Sequence, residues 1–346
     1  MSAALRILVV RRDNIGDLVC TTPIFTALRQ HYPTALICAL VNSYNAPVLA
    51  QHPNVDRAFV YTKLKHRAPG QSRLQLLWQR LRMHQQLRKI AFDYVLLPND
   101  QPRLLRFARS LRPRHIVALS HASTPPGANI TLLPAIREGV EHEAQATFRL
   151  LEPLGIHGSP PPCLVIPDPV EVAKVQDLLA AKGGAGPIIA FHISARKPSQ
   201  RWPAERFVEL MRALYASHQS RFILLWAPGS AANPLHPGDD EKAEAILQKA
   251  EDLPVLPLAT HTLSELLGAL AACDTLICSD GGAMHLAAAL GRPIVCLFGK
   301  SDAWRWHPWA APYELLQTVS LNVGDISAAQ VADAYARLRQ SRISIV

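Results

Sequence analysis

Four stretches of this chain carry residue types suited to chemistry, and each begins where a short apolar run ends. The first reads Arg11-Arg12-Asp13-Asn14-Ile15-Gly16-Asp17 and runs on to Thr21-Thr22-Pro23, where the proline suits the first turn of a helix. A hydroxyl is a poor nucleophile until a positioned base takes its proton, and Asp13, at a strand end, is the candidate base. Asp13 and Asp17 have a second reading, as residues that satisfy loop amides or cap a helix. Gly16 lets backbone amides come close to a ligand.

The second stretch, Ser279-Asp280-Gly281-Gly282-Ala283-Met284-His285, leads into the strongly helical Leu286 to Leu290. A glycine pair at a helix start leaves amides open to an anion, and the helix dipole adds to the attraction. A diphosphate fits there, and fixed donors would stabilise the charge it gains on departure without magnesium. Asp280 is the expected cap of this helix. His285 either donates to phosphate or is simply a packed histidine. The third stretch, His192 to Pro203, gathers Ser194, Arg196, Lys197 and Arg201, hydroxyl and cationic groups that suit diphosphate oxygens, or else form a solvated basic loop. The fourth, Gly299 to Trp309, opens with Lys300 and holds Trp304, Trp306 and Trp309, flat side chains that border a base or sugar or pack in a core.

No Asp-x-Asp pair of the kind that holds magnesium or manganese follows any strand. The acidic run Asp239-Asp240-Glu241 opens a helix and is read as capping, so no metal site is expected and no cofactor is assigned. Six scattered cysteines show no Cys-x-x-Cys spacing and are expected to be reduced.

These loops need elements to hold them. Apolar runs at Ile7 to Val10, Leu36 to Val41, Ala58 to Tyr61, Tyr94 to Leu97 and Ile116 to Leu119 alternate with helical or polar stretches, the rhythm of parallel strands with crossover helices. The rhythm pauses at Ser123 to Pro134 and at Gly155 to Pro169, where proline and glycine crowd as in linkers. It resumes with strands at Ile188 to Phe191, Phe222 to Trp226, Thr275 to Cys278 and Ile294 to Phe298, and helices near 203–218, 262–272 and 282–290. The expectation is an α/β protein of two doubly wound domains, residues 1–160 and 161–346, whose ligands bind in a cleft beyond the carboxyl ends of the strands. The last helical segment, Ala328 to Gln340, must bury one face, the first domain being one candidate for its partner.

The net charge of +9 is lopsided. Residues 1–160 hold 20 basic and 9 acidic residues, and Lys63 to Arg114 alone holds 13 and 2. Such a patch concentrates anions. Its arginines lack the interleaved aromatics and the modules of nucleic-acid binding, so nucleic acid is not expected, while a membrane face or a phosphorylated lipid fits, as does an ordinary solvated helix face. No stretch reaches the length of a membrane span or a signal-peptide core, which points to the cytoplasm.

Three blocks, Ile7 to Pro23 (ILVVRRDNIGDLVCTTP), His192 to Phe207 (HISARKPSQRWPAERF) and Ser279 to Phe298 (SDGGAMHLAAALGRPIVCLF), resemble in order and separation glycosyltransferase family 9, the heptosyltransferases of lipopolysaccharide core synthesis. The resemblance spans nearly the whole chain and implies GT-B architecture, two facing Rossmann-like domains. It further implies an inverting, metal-independent transfer of heptose from ADP-heptose to a Kdo or heptose residue of the inner core on lipid A. The partners it implies are a nucleotide-sugar donor and an anionic glycolipid, met at the cytoplasmic face of the inner membrane. On this resemblance Asp13 matches the general base, Ser194 a donor-phosphate position, and Asp280, Gly281, Gly282 and His285 the loop that grips ADP. The family commonly has lysine two positions before Trp202-Pro203, where Gln200 stands, so Arg196, Lys197, Arg201 and Lys300 are the candidates to replace that cation. Lys300 itself stands where such proteins often show proline. Other classes left open are a GT-B transferase using another nucleotide sugar for a surface glycan, a non-catalytic nucleotide-sugar-binding module, and a nucleotide-sugar epimerase.

Overall fold

The computed structural model describes residues 4–62, 72–122, 124–136, 139–232 and 238–343. Lys63, Lys65 and Arg67 of the basic stretch, and Ser123 at the start of the first pause, lie outside the described residues. The chain divides into two compact units, Met1–Ile166 and Pro167–Val346.

In the first unit, β1 (Arg6–Arg11), β2 (Leu36–Asn42), β3 (Arg57–Tyr61), β4 (Tyr94–Leu97), β5 (His115–Ser120) and β6 (Ile130–Pro134) form one sheet in the order β3-β2-β1-β4-β5-β6. Every pair is parallel, with Ile7 opposite Ile37 on one side and Tyr94 on the other. A parallel sheet is covered on both faces, which is why its inner strands are unbroken apolar runs. The helices are α1 (Ile15–Val19), α2 (Thr22–His31), α3 (Arg73–Ile90), α4 (Pro102–Ser110) and α5 (Glu143–Phe148). Leu8, Val10, Leu40, Leu87, Phe92, Leu97 and Leu105 fill the core on one face.

The second unit repeats the plan. Its strands are β7 (Ile188–His192), β8 (Arg221–Trp226), β9 (Val255–Ala259), β10 (Thr275–Ser279), β11 (Ile294–Phe298) and β12 (Tyr313–Gln317), all parallel in the order β12-β11-β10-β7-β8-β9. Its helices are α6 (Pro169–Lys182), α7 (Ala204–His218), α8 (Asp240–Lys249), α9 (Leu263–Ala271), α10 (Gly282–Ala289), α11 (Ala303–Trp306) and α12 (Ala328–Ile343). In both units the first strand lies between the second and the fourth, so the order reverses beside β1 and again beside β7. That reversal opens a crevice at the carboxyl ends of the strands.

Three strands went unread in the sequence. β6 falls inside the Pro/Gly-rich pause and ends on Pro134, β9 contains Pro257, and β12 has three half-buried residues between exposed ends and none fully buried. All three are sheet edges, where a missing N–H is tolerated and one side needs no partner. The linker expected at Gly155 to Pro169 ends by starting α6, with Pro169 in its first turn and the Asp168 carboxylate accepting from the Val170 amide at 2.9 Å. α12 buries Val331, Ala334, Tyr335 and Leu338 in the second unit's own core, against α7, β11 and β12. All six cysteines are buried, and burial pushes the Cys38 and Cys273 thiols up to about 12. Among the described residues no helix is long and apolar enough to cross a membrane.

α9 crosses α6 at Gly268, where an added Cβ would stand 2.7 Å from the Glu171 Cβ and 2.8 Å from its carbonyl carbon. Backbone cannot yield as a side-chain tip can. Gly268→Ala is expected to lower the stability of the second unit by about 1–3 kcal/mol, read as a shifted denaturant midpoint at constant m-value.

Candidate functional site

Arg11 is the last residue of β1, and its guanidinium is only 4 % exposed. It sits among three carboxylates: Asp17 at 2.8 Å, Asp13 at 3.4 Å, and Glu143, which α5 brings in from beneath and which is itself buried. Burial works against the charge of Arg11, but Glu143, Asp17 and Asp13 outweigh it and push its pKa up. The loop that follows is pinned through its carbonyls by two buried asparagines, one ending β2 and one three residues beyond it. Asn42 donates to the Asp13 carbonyl at 2.7 Å, and Asn45 donates to those of Arg11 and Asn14 at 3.3 and 3.4 Å. Asn42 and Asn45 lock each other, each side-chain oxygen accepting from the other's backbone amide.

Within this loop the two aspartates differ in partners and exposure. Asp17 takes the capping work, its Oδ2 accepting from the Asn14 amide at 3.1 Å and from the Asn14 side chain at 2.9 Å. Asp13 presents a carboxylate that is 41 % exposed beside Arg11. Gly16 is buried in the first turn of α1. Arg12 lies over the rings of Tyr61 and Phe107, 4.9 and 5.3 Å from their centroids.

In the second unit the loops after β7, β10 and β11 meet at the strand reversal. Gln200, 5 % exposed, donates from one amide nitrogen to Asp280 at 2.8 Å and to Ser301 at 2.9 Å. Gly299 lets the two outer loops touch, because a Cβ there would stand 2.4 Å from the Ser199 carbonyl oxygen. Trp202 anchors the far end, buried edge-on against Phe207 and donating to the Ile326 carbonyl at 2.9 Å.

Asp280 does not cap α10, as the sequence suggested. Its carboxylate receives Gln200, and Gly281 takes the cap position. The backbone of Gly281 is extended, at φ 166°, a conformation open to any residue, and an added Cβ would meet nothing closer than 4.0 Å. Neither strain nor packing calls for glycine here, so its effect is to leave space open over the start of α10. His285 follows in the next turn, buried and edge-on to Trp306 at 5.8 Å.

Arg201 is committed elsewhere. It donates to the Ala195 carbonyl at 2.8 Å and pairs with buried Asp239, so it braces the loop after β7. Asp239 therefore spends its side chain on Arg201 and not on capping α8. Burial pushes its carboxyl up, opposed by Ser194, Arg201 and Lys242. Asp240 and Glu241 turn back to the loop before α8, accepting from the Gly229 and Ala231 amides at 2.8 and 3.2 Å. The Ser194 hydroxyl accepts from the Ala227 amide at 2.9 Å. Arg196, Lys197 and Lys300 are exposed. Sequence reasoning passed over Lys242, the third residue of α8, which donates to the Ile193 carbonyl at 3.1 Å and lies over Phe207. Burial pulls its ammonium down to about 8 and also pulls the neighbouring His192 imidazole down to about 4. Among the described residues no three His, Cys, Asp or Glu side chains gather as a metal-binding group.

A family model described as "Glycosyltransferase family 9 (heptosyltransferase)" matches residues 80–326. Lipopolysaccharide heptosyltransferase 3 of Escherichia coli K12 is 26 % identical over 298 residues, covering 85 % of this chain and 82 % of that protein. The crystal structure of a family 9 glycosyl transferase from Veillonella parvula superposes with a TM-score of 0.79 at 22 % identity, over 99 % of both chains. The E. coli heptosyltransferase WaaC with ADP-2-deoxy-2-fluoro heptose superposes with a TM-score of 0.70 at 20 % identity, over 96 % of this chain and 99 % of that one. The two Rossmann-like units are those of the GT-B fold.

The Arg11 cluster gives a direct test of what holds the first loop. Arg11→Met leaves buried Glu143 beside two further acids with no cation, and is expected to cost about 3–5 kcal/mol of stability by denaturant titration. Arg11→Met combined with Glu143→Leu is expected to recover part of that loss.

Proposed function

Because this chain belongs to glycosyltransferase family 9 and is a glycosyltransferase, we propose that it moves heptose from ADP-heptose to the inner core of lipopolysaccharide, onto Kdo or heptose carried by lipid A. The observation that carries the reading is the start of α10, where open space over Gly281 and the free first amides of a helix meet the conditions for a diphosphate. The E. coli relative is named for heptose transfer to lipopolysaccharide, and the WaaC structure holds an ADP-heptose analogue.

In this reading Asp13 takes the proton of the acceptor hydroxyl as that oxygen attacks the anomeric carbon. The bond to the diphosphate breaks on the opposite face, and the transfer is inverting. Negative charge then builds on the leaving ADP. The amides of Gly281 and Gly282, with His285, meet that charge where it develops, so no metal is required. Asp280, held by Gln200, fixes the loop, and Ser194 bonds donor phosphate. Gly16 allows close approach of the first loop. Arg201 is neutralised by Asp239 and serves as a brace, which leaves Arg196, Lys197 and Lys300 to supply the cation that Gln200 does not. The basic residues between Lys63 and Arg114 attract the phosphates of the glycolipid at the cytoplasmic membrane surface.

Turnover of ADP-heptose with core-truncated lipopolysaccharide tests this. Asp13→Asn is expected to lower kcat by about 10²–10⁴-fold while leaving the thermal shift produced by ADP unchanged. Full activity in Asp13→Asn would remove Asp13 from the role of base. Conversion of the donor in the absence of acceptor would point to an epimerase instead, and tight ADP binding without turnover to a binding module.

A further inference from the structure

The outward side of α3 is unlike that of an ordinary solvated helix. Leu76 and Leu87 are buried, with Met83 and Ile90 packed beside the core, and this row sets the inward face. On the opposite face Leu74, Leu77, Trp78 and Leu81 follow the i, i+3, i+4, i+7 spacing of a helical stripe and are 70 %, 52 %, 71 % and 47 % exposed. Single exposed apolar residues are ordinary, but four side by side around a tryptophan mark an interaction surface.

The surrounding charge selects the partner. Farther along α3, Arg82, Arg88 and Lys89 are exposed around the same outward side. α4 is joined to α3 where His84 and Ser110 share a 2.7 Å hydrogen bond and His84 meets the Phe107 ring edge-on, and it adds exposed Arg103, Arg106 and Arg109. Neither helix contains an acidic residue. A second copy of this chain would set these cations against one another, and a protein partner would need an acidic rim around an apolar groove. An anionic bilayer offers both at once: an apolar boundary for leucine, an interface for tryptophan, and phosphates for the arginines.

We propose that α3 seats the chain on an anionic lipid bilayer, with Leu74, Leu77, Trp78 and Leu81 entering the boundary between headgroups and acyl chains while Arg82, Arg88, Lys89 and the α4 arginines hold lipid phosphates. The inference rests on the reading that the acceptor is a glycolipid, which lies in the same membrane. Coulomb attraction to a charged surface is screened by salt, whereas apolar insertion is not. Binding therefore has two components, and the stripe supplies the salt-resistant one.

Flotation of the full chain with phosphatidylglycerol-containing vesicles and with phosphatidylcholine vesicles, at low and high salt, separates them. Wild type is expected to float with the anionic vesicles and to keep a bound fraction at high salt. Leu74→Ser/Trp78→Ser/Leu81→Ser is expected to lower the partition coefficient about tenfold or more and to lose that fraction. Acyl-brominated lipid is expected to quench the emission of wild type more than that of Trp78→Phe, a comparison that holds even if the triple variant folds poorly. Equal flotation of wild type and the triple variant, or equal quenching of wild type and Trp78→Phe, overturns the proposal. So does a vesicle-free dimer that buries Trp78, which assigns the stripe to a second copy. Turnover of a water-soluble, delipidated acceptor fragment keeps the two readings apart. It stays at the wild-type level in the triple variant, and its absence in wild type counts against the transferase reaction alone.

Discussion

Parallel pairing is the constraint from which the rest follows. When every strand of a sheet runs the same way, each must be followed by a return over one face, and all the loops at carboxyl ends are delivered to a single edge. The six-stranded orders seen here start each sheet from its middle, so the loops after β1 and β7 arrive where neighbouring crossovers part to opposite faces. Asp13 and Asp280 owe their positions to this topology before any local interaction acts on them.

Local interactions then fix the loops, and the two units do so by different physics. The loop after β1 is organised around a buried cation whose charge is tolerated only because Asp13, Asp17 and Glu143 surround it. The loops of the second unit are joined by the neutral amide of Gln200, with the charged pair Arg201–Asp239 set to one side as a support. A lysine at position 200 would bring a formal charge against Asp280. The amide keeps the bond and omits the charge.

What the sequence made legible follows the same division. Inner strands were visible because burial on both faces demands an unbroken apolar run, and Tyr94–Leu97 and Ile294–Phe298 were read to the residue. Edge strands β6, β9 and β12 were hidden because an edge tolerates proline and exposure. Candidate residues were found wherever a motif follows an inner strand. Their partners were not, because Glu143, Asn42, Asn45 and Lys242 come from elements distant in sequence. The assignment of Arg201 to Asp239 depends on a pairing 38 positions away, and spacing along the chain carries no trace of it. The stripe on α3 was masked for another reason, since leucines on both faces of a helix leave no single apolar side to detect.

The contact between Gly299 and Ser199 has a mechanical consequence. Together with the Gln200 bridge, it welds segments from three strands into one plate, so that displacing any of them drags the others. A molecule settling on this plate meets donors whose freedom was surrendered during folding, not at encounter. The tightness of such a grip is then set by the rigidity of the weld as much as by the groups that touch the guest.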